Sequence, residues 1–213
     1  MPQLKIDLHV HTDYSDSTGE LDSIVRTALK KGLDGIAITD HDTCEAAVLA
    51  MERYSDRFVV VPGLELKTEE GHLLALGLAE APSVWLGALN AAKFIHERGA
   101  LVVVPHPKVP FLGFHEEALG YLKPDAIEVR NAATPFYNWV SNRNLGLAKK
   151  FRLPQTGGSD AHMSSCVGDS YTIIDSDSRE LADIIRAIRD GRTTPAGNPS
   201  PILYRMRMLL AIF

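Results

Sequence analysis

The chain has 213 residues and little of several things. It has two cysteines, Cys44 and Cys166, in no CxxC pair and at no zinc-finger spacing. That speaks against a disulfide-stapled fold and a zinc finger, and predicts two reduced, packed thiols in a cytoplasmic protein. No stretch approaches the ~20 apolar residues of a membrane span, and "MPQLKIDLHV" holds no signal-length apolar run. Basic residues are outnumbered, 22 against 27, for a net charge of −5. An acidic balance offers nucleic acid no general attraction, so contact with it is not favoured. No internal repeat or low-complexity tract interrupts the chain.

What is present alternates. Strand patterns at "KIDLHVHT", "GIAITDHD", "RFVVVPGLELKT", "HLLALGL", "ALVVVPHP", "AIEVRN", "LPQTGG" and "SYTIID" are separated by segments of helical spacing. Among these are "ELDSIVRTALKKG", "CEAAVLAMERYS", "SVWLGALNAAKFIHERG", "FYNWVSNRNLGLAKKF" and "SRELADIIRAIRDG". Alternating strands and helices predict a mostly parallel sheet with crossover helices, closed or nearly closed as a β/α barrel of about seven strands. Residues 1–195 form the expected domain. Residues 196–213 hold the end of a Pro/Gly-rich connector, "TTPAGNPSP", and an apolar tail, "ILYRMRMLLAIF". The tail is expected to pack as an amphipathic helix on the barrel or on a second subunit, giving a homo-oligomer.

The metal-capable side chains fall where strands end. His9 and His11 close the first strand, with Asp13 and Asp16 just after. Asp40, His41 and Asp42 follow the second, Glu65 ends the third, His106 follows the fifth, and Asp160 and His162 follow "TGGS". The carboxyl ends of barrel strands are where active sites assemble. His72 begins a strand, but the turn "TEEG" predicts a tight hairpin that folds it back toward Glu65. Residues i and i+2 of a strand point the same way, so His9 and His11 can grip one ion. A Glu65 carboxylate can bridge two. Mixed imidazole and carboxylate ligands suit Zn²⁺, Mn²⁺ or Fe²⁺ better than Ca²⁺. His96, near a helix end, and His115 read as ordinary surface residues.

Taken in order, "HVHTDYSDS", "ITDHD", "PGLEL" with "GH", "VVPHP", "IEVRN" and "GGSDAH" resemble the PHP (polymerase and histidinol phosphatase) family of metal-dependent phosphoesterases, from residue 6 to about 162. The resemblance implies a distorted (β/α)7 barrel with three divalent ions. His9, His11, Glu65 and Asp160 would hold the first. Glu65, His72 and His106 would hold the second. Asp16, His41 and His162 would hold the third, with Asp13 competing for the place of Asp16. It implies a phosphoric ester hydrolase acting through a metal-activated hydroxide, with no covalent nucleophile.

Asp40 and His41 are the expected catalytic pair, Asp40 or Asp42 orienting His41 or relaying a proton. Asp42 is an equal candidate for the cap of the next helix. Arg130 and Asn131 are the expected substrate-binding residues, Arg130 because its fork grips two phosphate oxygens. Lys108 is expected to be a solvated loop residue. Phe136, Tyr137 and Trp139 are candidates for stacking on a base or sugar, with at least one of them core. The expected substrate is a small phosphorylated metabolite or nucleotide. The competing readings are an exonuclease or phosphodiesterase on oligonucleotide ends, an amidohydrolase-like C–N hydrolase (disfavoured because Glu65, not a lysine, holds the bridging place), and a non-catalytic metal-binding module.

Overall fold

The computed structural model describes residues 2–110 and 113–210. The elements run β1 (Gln3–Val10), α1 (Leu21–Lys30), β2 (Gly35–Ile38), α2 (Glu45–Tyr54), β3 (Val59–Thr68), β4 (Gly71–Leu76), α3 (Ala88–Glu97), β5 (Leu101–Val104), α4 (Ala118–Leu122), β6 (Ala126–Asn131), α5 (Tyr137–Phe151), β7 (Gln155–Gly158), β8 (Ser170–Asp175), α6 (Leu181–Arg189), β9 (Thr193–Gly197) and α7 (Ile202–Leu210). All nine strands among the described residues join one sheet in the order β7-β6-β5-β4-β3-β2-β1-β8-β9.

The sheet curls until its first and seventh strands meet. Val10 bridges Ala161 in parallel, the Asp160 N–H donates to the His9 carbonyl at 2.8 Å, and the His11 N–H donates to the Ala161 carbonyl at 3.1 Å. A glycine makes this closure possible. A β-carbon on Gly158 would stand 2.5 Å from the His9 β-carbon and 2.9 Å from its nitrogen. The result is a nearly closed α/β barrel, as expected, but the sheet has nine strands rather than seven. The extra pair lies beside β1: β8 runs antiparallel to it, and β9 antiparallel to β8.

The predicted hairpin is present. β3 and β4 pair antiparallel from Gly63↔Leu76 to Thr68↔Gly71, with Lys67 opposite His72. Gly71, at φ 127°, supplies the conformation the turn needs.

Two expectations change. The "TTPAG" stretch read as connector is strand β9, an edge strand where Pro195 is tolerated. The long helix expected from residue 83 begins only at Ala88, whose N–H is capped by the Glu69 carboxylate at 2.9 Å.

Three apolar clusters hold the layers. Leu4, Ile6, Leu8, Val61, Leu74 and Val103 pack with Ile184, Ile185 and Ile188 of α6. A second cluster seats α1 and α2 against β2, and a third seats α3, α4 and α5 against β3–β6. Among the described residues no helix is long and apolar enough to cross a membrane.

Candidate metal centre

The barrel brings the predicted ligands to one rim. Glu65 lies at its centre, 1% exposed. Its Oε2 stands 3.2 Å from Nε2 of both His9 and His11, and 3.5 Å from Nδ1 of His41. Its Oε1 stands 2.8 Å from Nδ1 of His72 and 3.3 Å from Nε2 of His106. Asp160 Oδ1 lies 3.4 Å from His9 Nε2 and 3.2 Å from His11 Nε2. Asp16 approaches from the loop after β1, with Oδ1 3.2 Å from His162 Nε2 and 3.8 Å from His11 Nδ1, and Oδ2 3.6 Å from His41 Nε2. Three groups of donor atoms are each close enough to share an ion: His9, His11 and Asp160; His41, Glu65 and His72; His11, Asp16, His41 and His162.

The chemistry of this donor set fits cations. His9 and His11 bring their Nε2 atoms within 3.1 Å of each other. With the His9 lone pair on Nε2, that approach needs either a proton on His11 Nε2 or a cation shared by the two rings. Nδ1 of His11, His41 and His106 and Oδ1 of Asp160 are buried without a hydrogen-bond partner. Buried polar atoms are ordinarily paired, so four orphans on one rim mark a place built for something else.

Electrostatics agree. Burial holds His41 down to about 4, so it is neutral and free to donate a lone pair. Burial also pulls on His11, but the Asp160 and Glu65 carboxylates overcome it and push the imidazole up to about 9. Against the cost of burial, the surrounding imidazoles keep Glu65 and Asp160 well below the usual carboxylate range.

A buried carboxylate missed in the sequence supports the ligands from beneath. Glu128 of β6 accepts from His9 Nδ1 at 3.1 Å, from the His106 backbone N–H at 3.0 Å and from Asn131 Nδ2 at 2.9 Å. An ionised carboxylate only accepts, so the His9 proton sits on Nδ1 and its Nε2 lone pair points at the rim. The same contact braces His106, which adopts φ 34°, a left-handed backbone that a residue with a side chain seldom takes. Asp7, also missed, accepts from the Ser159 N–H at 2.8 Å and the Gly168 N–H at 2.7 Å, tying β1 to the loop after β7. An acid amid apolar strand neighbours ("KIDLHV", "AIEVRN") was the available signal for both.

The remaining predicted residues divide. Asn131 reaches the site by donating Nδ2 to Asp160 Oδ2 at 3.1 Å as well as to Glu128, so it orients a candidate ligand. Arg130 does not reach it. A bulge between Glu128 and Arg130 breaks the strand's alternation, and the guanidinium donates to the Gly197 carbonyl at 3.1 Å and the Tyr137 hydroxyl at 3.3 Å. The Asp40 carboxylate does not touch the His41 ring. It accepts from the Thr12 N–H (2.7 Å), the Thr12 hydroxyl (2.7 Å) and the Ser15 hydroxyl (2.6 Å), pinning the loop that carries Asp16. Asp42 does not cap α2; it accepts from the Lys67 N–H at 3.2 Å.

Lys108 pairs with Glu116, and His96 and His115 pair with Asp125 and Glu70. Tyr137 is core at 4% exposure, while Phe136 and Trp139 are exposed. Those two line a groove beside the centre, with Ile202 and Met206.

The cavity over the ligands has a volume of about 320 Å³. Asp16, His41, Glu65, His72, His106, Asp160 and His162 line it, and its other walls are Val109, Ala133–Pro135, Met208 and Lys67. Lys67 is the one lysine or arginine among them.

Comparison with known proteins agrees with this geometry. Residues 7–103 match the model of the PHP domain, and residues 142–193 match that of a PHP-associated region. An uncharacterized protein of Methanocaldococcus jannaschii is 35% identical over 165 residues, which cover 71% of this chain and 95% of that one. The fold is similar to a two-domain protein from Bacteroides vulgatus containing a predicted PHP-like metal-dependent phosphoesterase, at TM-score 0.79 and 22% identity over 92% of this chain and 65% of that one. It is also similar to the lesion-specific endonuclease Q of Pyrococcus furiosus, at TM-score 0.70 and 17% identity over 92% of this chain and 59% of that one. With a matching order of motifs, a matching fold and a relative aligned over nearly its full length, the chain belongs to the PHP family of metal-dependent phosphoesterases.

Proposed function

We propose that the chain hydrolyses a small phosphomonoester, a phosphorylated metabolite or nucleotide, with three divalent ions of the Zn²⁺, Mn²⁺ or Fe²⁺ class. The observation that carries this reading is the cavity: small, lined by the ligand cluster, with Lys67 on its wall, a cation without a side-chain partner among the described residues. A volume of about 320 Å³ is near the lower end for ligand sites and suits one phosphoryl group with a compact substituent.

In this reading His9, His11, Glu65 and Asp160 hold one ion. Glu65, His72 and His106 hold the second, and Asp16, His41 and His162 hold the third. Divalent ions there supply a lowered water pKa at neutral pH and neutralise phosphoryl oxygens. The chain's own residues do the rest. Glu128 keeps the His9 proton on Nδ1, Asn131 aims Asp160, and Asp40 fixes the loop bearing Asp16. His41 serves as a neutral ligand. Lys67, for which no side-chain partner occurs among the described residues, replaces Arg130 as the group that binds a phosphoryl oxygen from the cavity wall. The exposed mouth lets solvent protonate the departing alkoxide.

Diester cleavage on nucleic acid is the second reading; the fold shared with a lesion-specific endonuclease supports that substrate class, not strand ends in particular. The net charge of −5 and a single cavity lysine weigh against it, because phosphate backbones are bound by several cations at once. The test is p-nitrophenol release from p-nitrophenyl phosphate and from its bis ester with added Mn²⁺, for wild type and His41→Ala. Faster monoester hydrolysis, lost in the variant, is expected. A diester preference moves the assignment to a phosphodiesterase or nuclease, and no turnover of either ester overturns it.

A further inference from the structure

Residues 198–210 lie beyond both family-matched regions, yet they touch the centre directly. The segment is laced to the barrel before the helix begins. The Asn198 N–H donates to the Asp169 carbonyl at 2.7 Å, the Ser200 N–H to the Ala132 carbonyl at 3.0 Å, and the Ser200 hydroxyl to Asp169 Oδ2 at 2.7 Å. α7 then turns two side chains inward. Met208 lines the cavity, and Tyr204 is buried at 7% exposure against the cluster that includes Val10, Ala133 and Ala161.

The Tyr204 hydroxyl both accepts and donates. It accepts from the His162 N–H at 2.8 Å and donates to the Asp160 carbonyl at 3.1 Å. Both partners belong to the turn Asp160–Ala161–His162, which carries two of the ligand side chains. That turn is strained, since Asp160 adopts φ 52°. A left-handed residue with a side chain persists only where its surroundings over-determine it, and here the His9 carbonyl, the Asn131 amide on the carboxylate, His162 Nδ1 at 3.1 Å from the Asp160 carbonyl and the Tyr204 hydroxyl all bear on it. Packing alone would be satisfied by phenylalanine. The hydroxyl is needed only for the two backbone groups of the ligand turn, which it alone pairs from α7.

We propose that α7 is a built part of the metal centre, with Tyr204 as a positioning residue that sets the Asp160–His162 turn and so the ion shared by Asp16, His41 and His162. This rests on the metal-binding reading given above. Loss of an outer hydrogen-bond partner of a metal ligand typically weakens the metal about 10- to 100-fold. The effect should fall on one ion rather than on all.

The experiment is calorimetric titration of the metal-stripped full chain with Mn²⁺, for wild type, Tyr204→Phe, His162→Ala and the double variant. Circular dichroism of each metal-free protein checks folding. Expected is about a 10- to 100-fold loss of affinity in Tyr204→Phe at one class of site, the same class that His162→Ala abolishes, with the remaining sites of the double variant as in His162→Ala. Wild-type affinity in Tyr204→Phe, an equal loss at every site, or a further loss at the remaining sites in the double variant overturns the proposal while leaving the metal reading intact. A wild-type chain that takes up no ion overturns the metal reading itself.

Hydrogen exchange on the wild type keeps the proposal testable if Tyr204→Phe does not fold. Coupling between sites is reciprocal, so Mn²⁺ loading must slow exchange of the His162 amide and of α7. Exchange in α7 that ignores the ion contradicts the proposal.

Discussion

Replacing Glu128 by glutamine changes one atom and should move a proton 2 positions round a neighbouring ring, on the order of a single tautomer shift. Glu128 Oε2 accepts from two donors, the His106 N–H and Asn131 Nδ2, so the glutamine oxygen will stay with that pair. The new amide NH₂ then faces His9 Nδ1 at the former Oε1 position, 3.1 Å away. An amide nitrogen donates and does not accept. His9 must therefore surrender its Nδ1 proton and carry it on Nε2, the atom aimed at Glu65 and Asp160. A protonated Nε2 has no lone pair for a metal.

The expected cost is about 10- to 100-fold in affinity for the ion held by His9 and His11, or about 1.4 to 2.7 kcal/mol. The independent figure for a hydrogen bond to a charged group, about 1.5 to 3 kcal/mol, is of the same size. The assay is competition against a calibrated chelator, with the melting temperature of the metal-free protein as a folding control. Metal affinity in Glu128→Gln within about twofold of wild type refutes the tautomer reasoning.

Lys67→Ala should raise KM for a monoester about tenfold or more, the value of one charge-assisted hydrogen bond, while Arg130→Ala should leave kcat/KM nearly unchanged. Steady-state kinetics on the two variants decide which cation serves the substrate. Metal affinity should rise with pH. In the metal-free chain the Asp160 and Glu65 carboxylates push His11 up to about 9 from an ordinary 6.5 against the pull of burial, so its protonated form stabilises the metal-free fold fully below pH 6.5, and that contribution is lost as pH rises through 9. An ion must displace this proton, so affinity should gain up to about tenfold per pH unit across the same window; titrations at pH 6.5 and 8.5 that agree would contradict this. Gly158→Ala should destabilise the metal-free protein by about 1 to 3 kcal/mol, because its β-carbon meets His9 at 2.5 Å; an unchanged melting temperature would show that β1 and β7 can part freely.

Much of the centre was legible because its logic is local. His9 and His11 sit two apart on one strand, and the other candidate ligands that the barrel brings to the rim follow strand ends that apolar runs make visible. The hairpin was legible in "TEEG", and it delivers His72 to Glu65 at 2.8 Å. What was not legible depends on departures from regular geometry. Arg130 follows the alternation rule only if β6 is straight, and the bulge after Glu128 sends it to Gly197 instead. Asp40 reads as a partner of His41 by adjacency, but the fold of residues 12–15 claims its carboxylate. Glu128 and Tyr204 are joined to the ligands across 119 and 42 residues of sequence, separations at which no pattern signals contact. The apolar tail predicted a packed helix without showing that Tyr204 would reach the ligand turn.

The most direct test of the central claim is an anomalous difference map from crystals of the metal-stripped chain soaked in Mn²⁺. The account predicts peaks among His9, His11 and Asp160, among Glu65, His72 and His106, and among Asp16, His41 and His162. A map with no peak at this rim, or with its peaks elsewhere on the molecule, would contradict it.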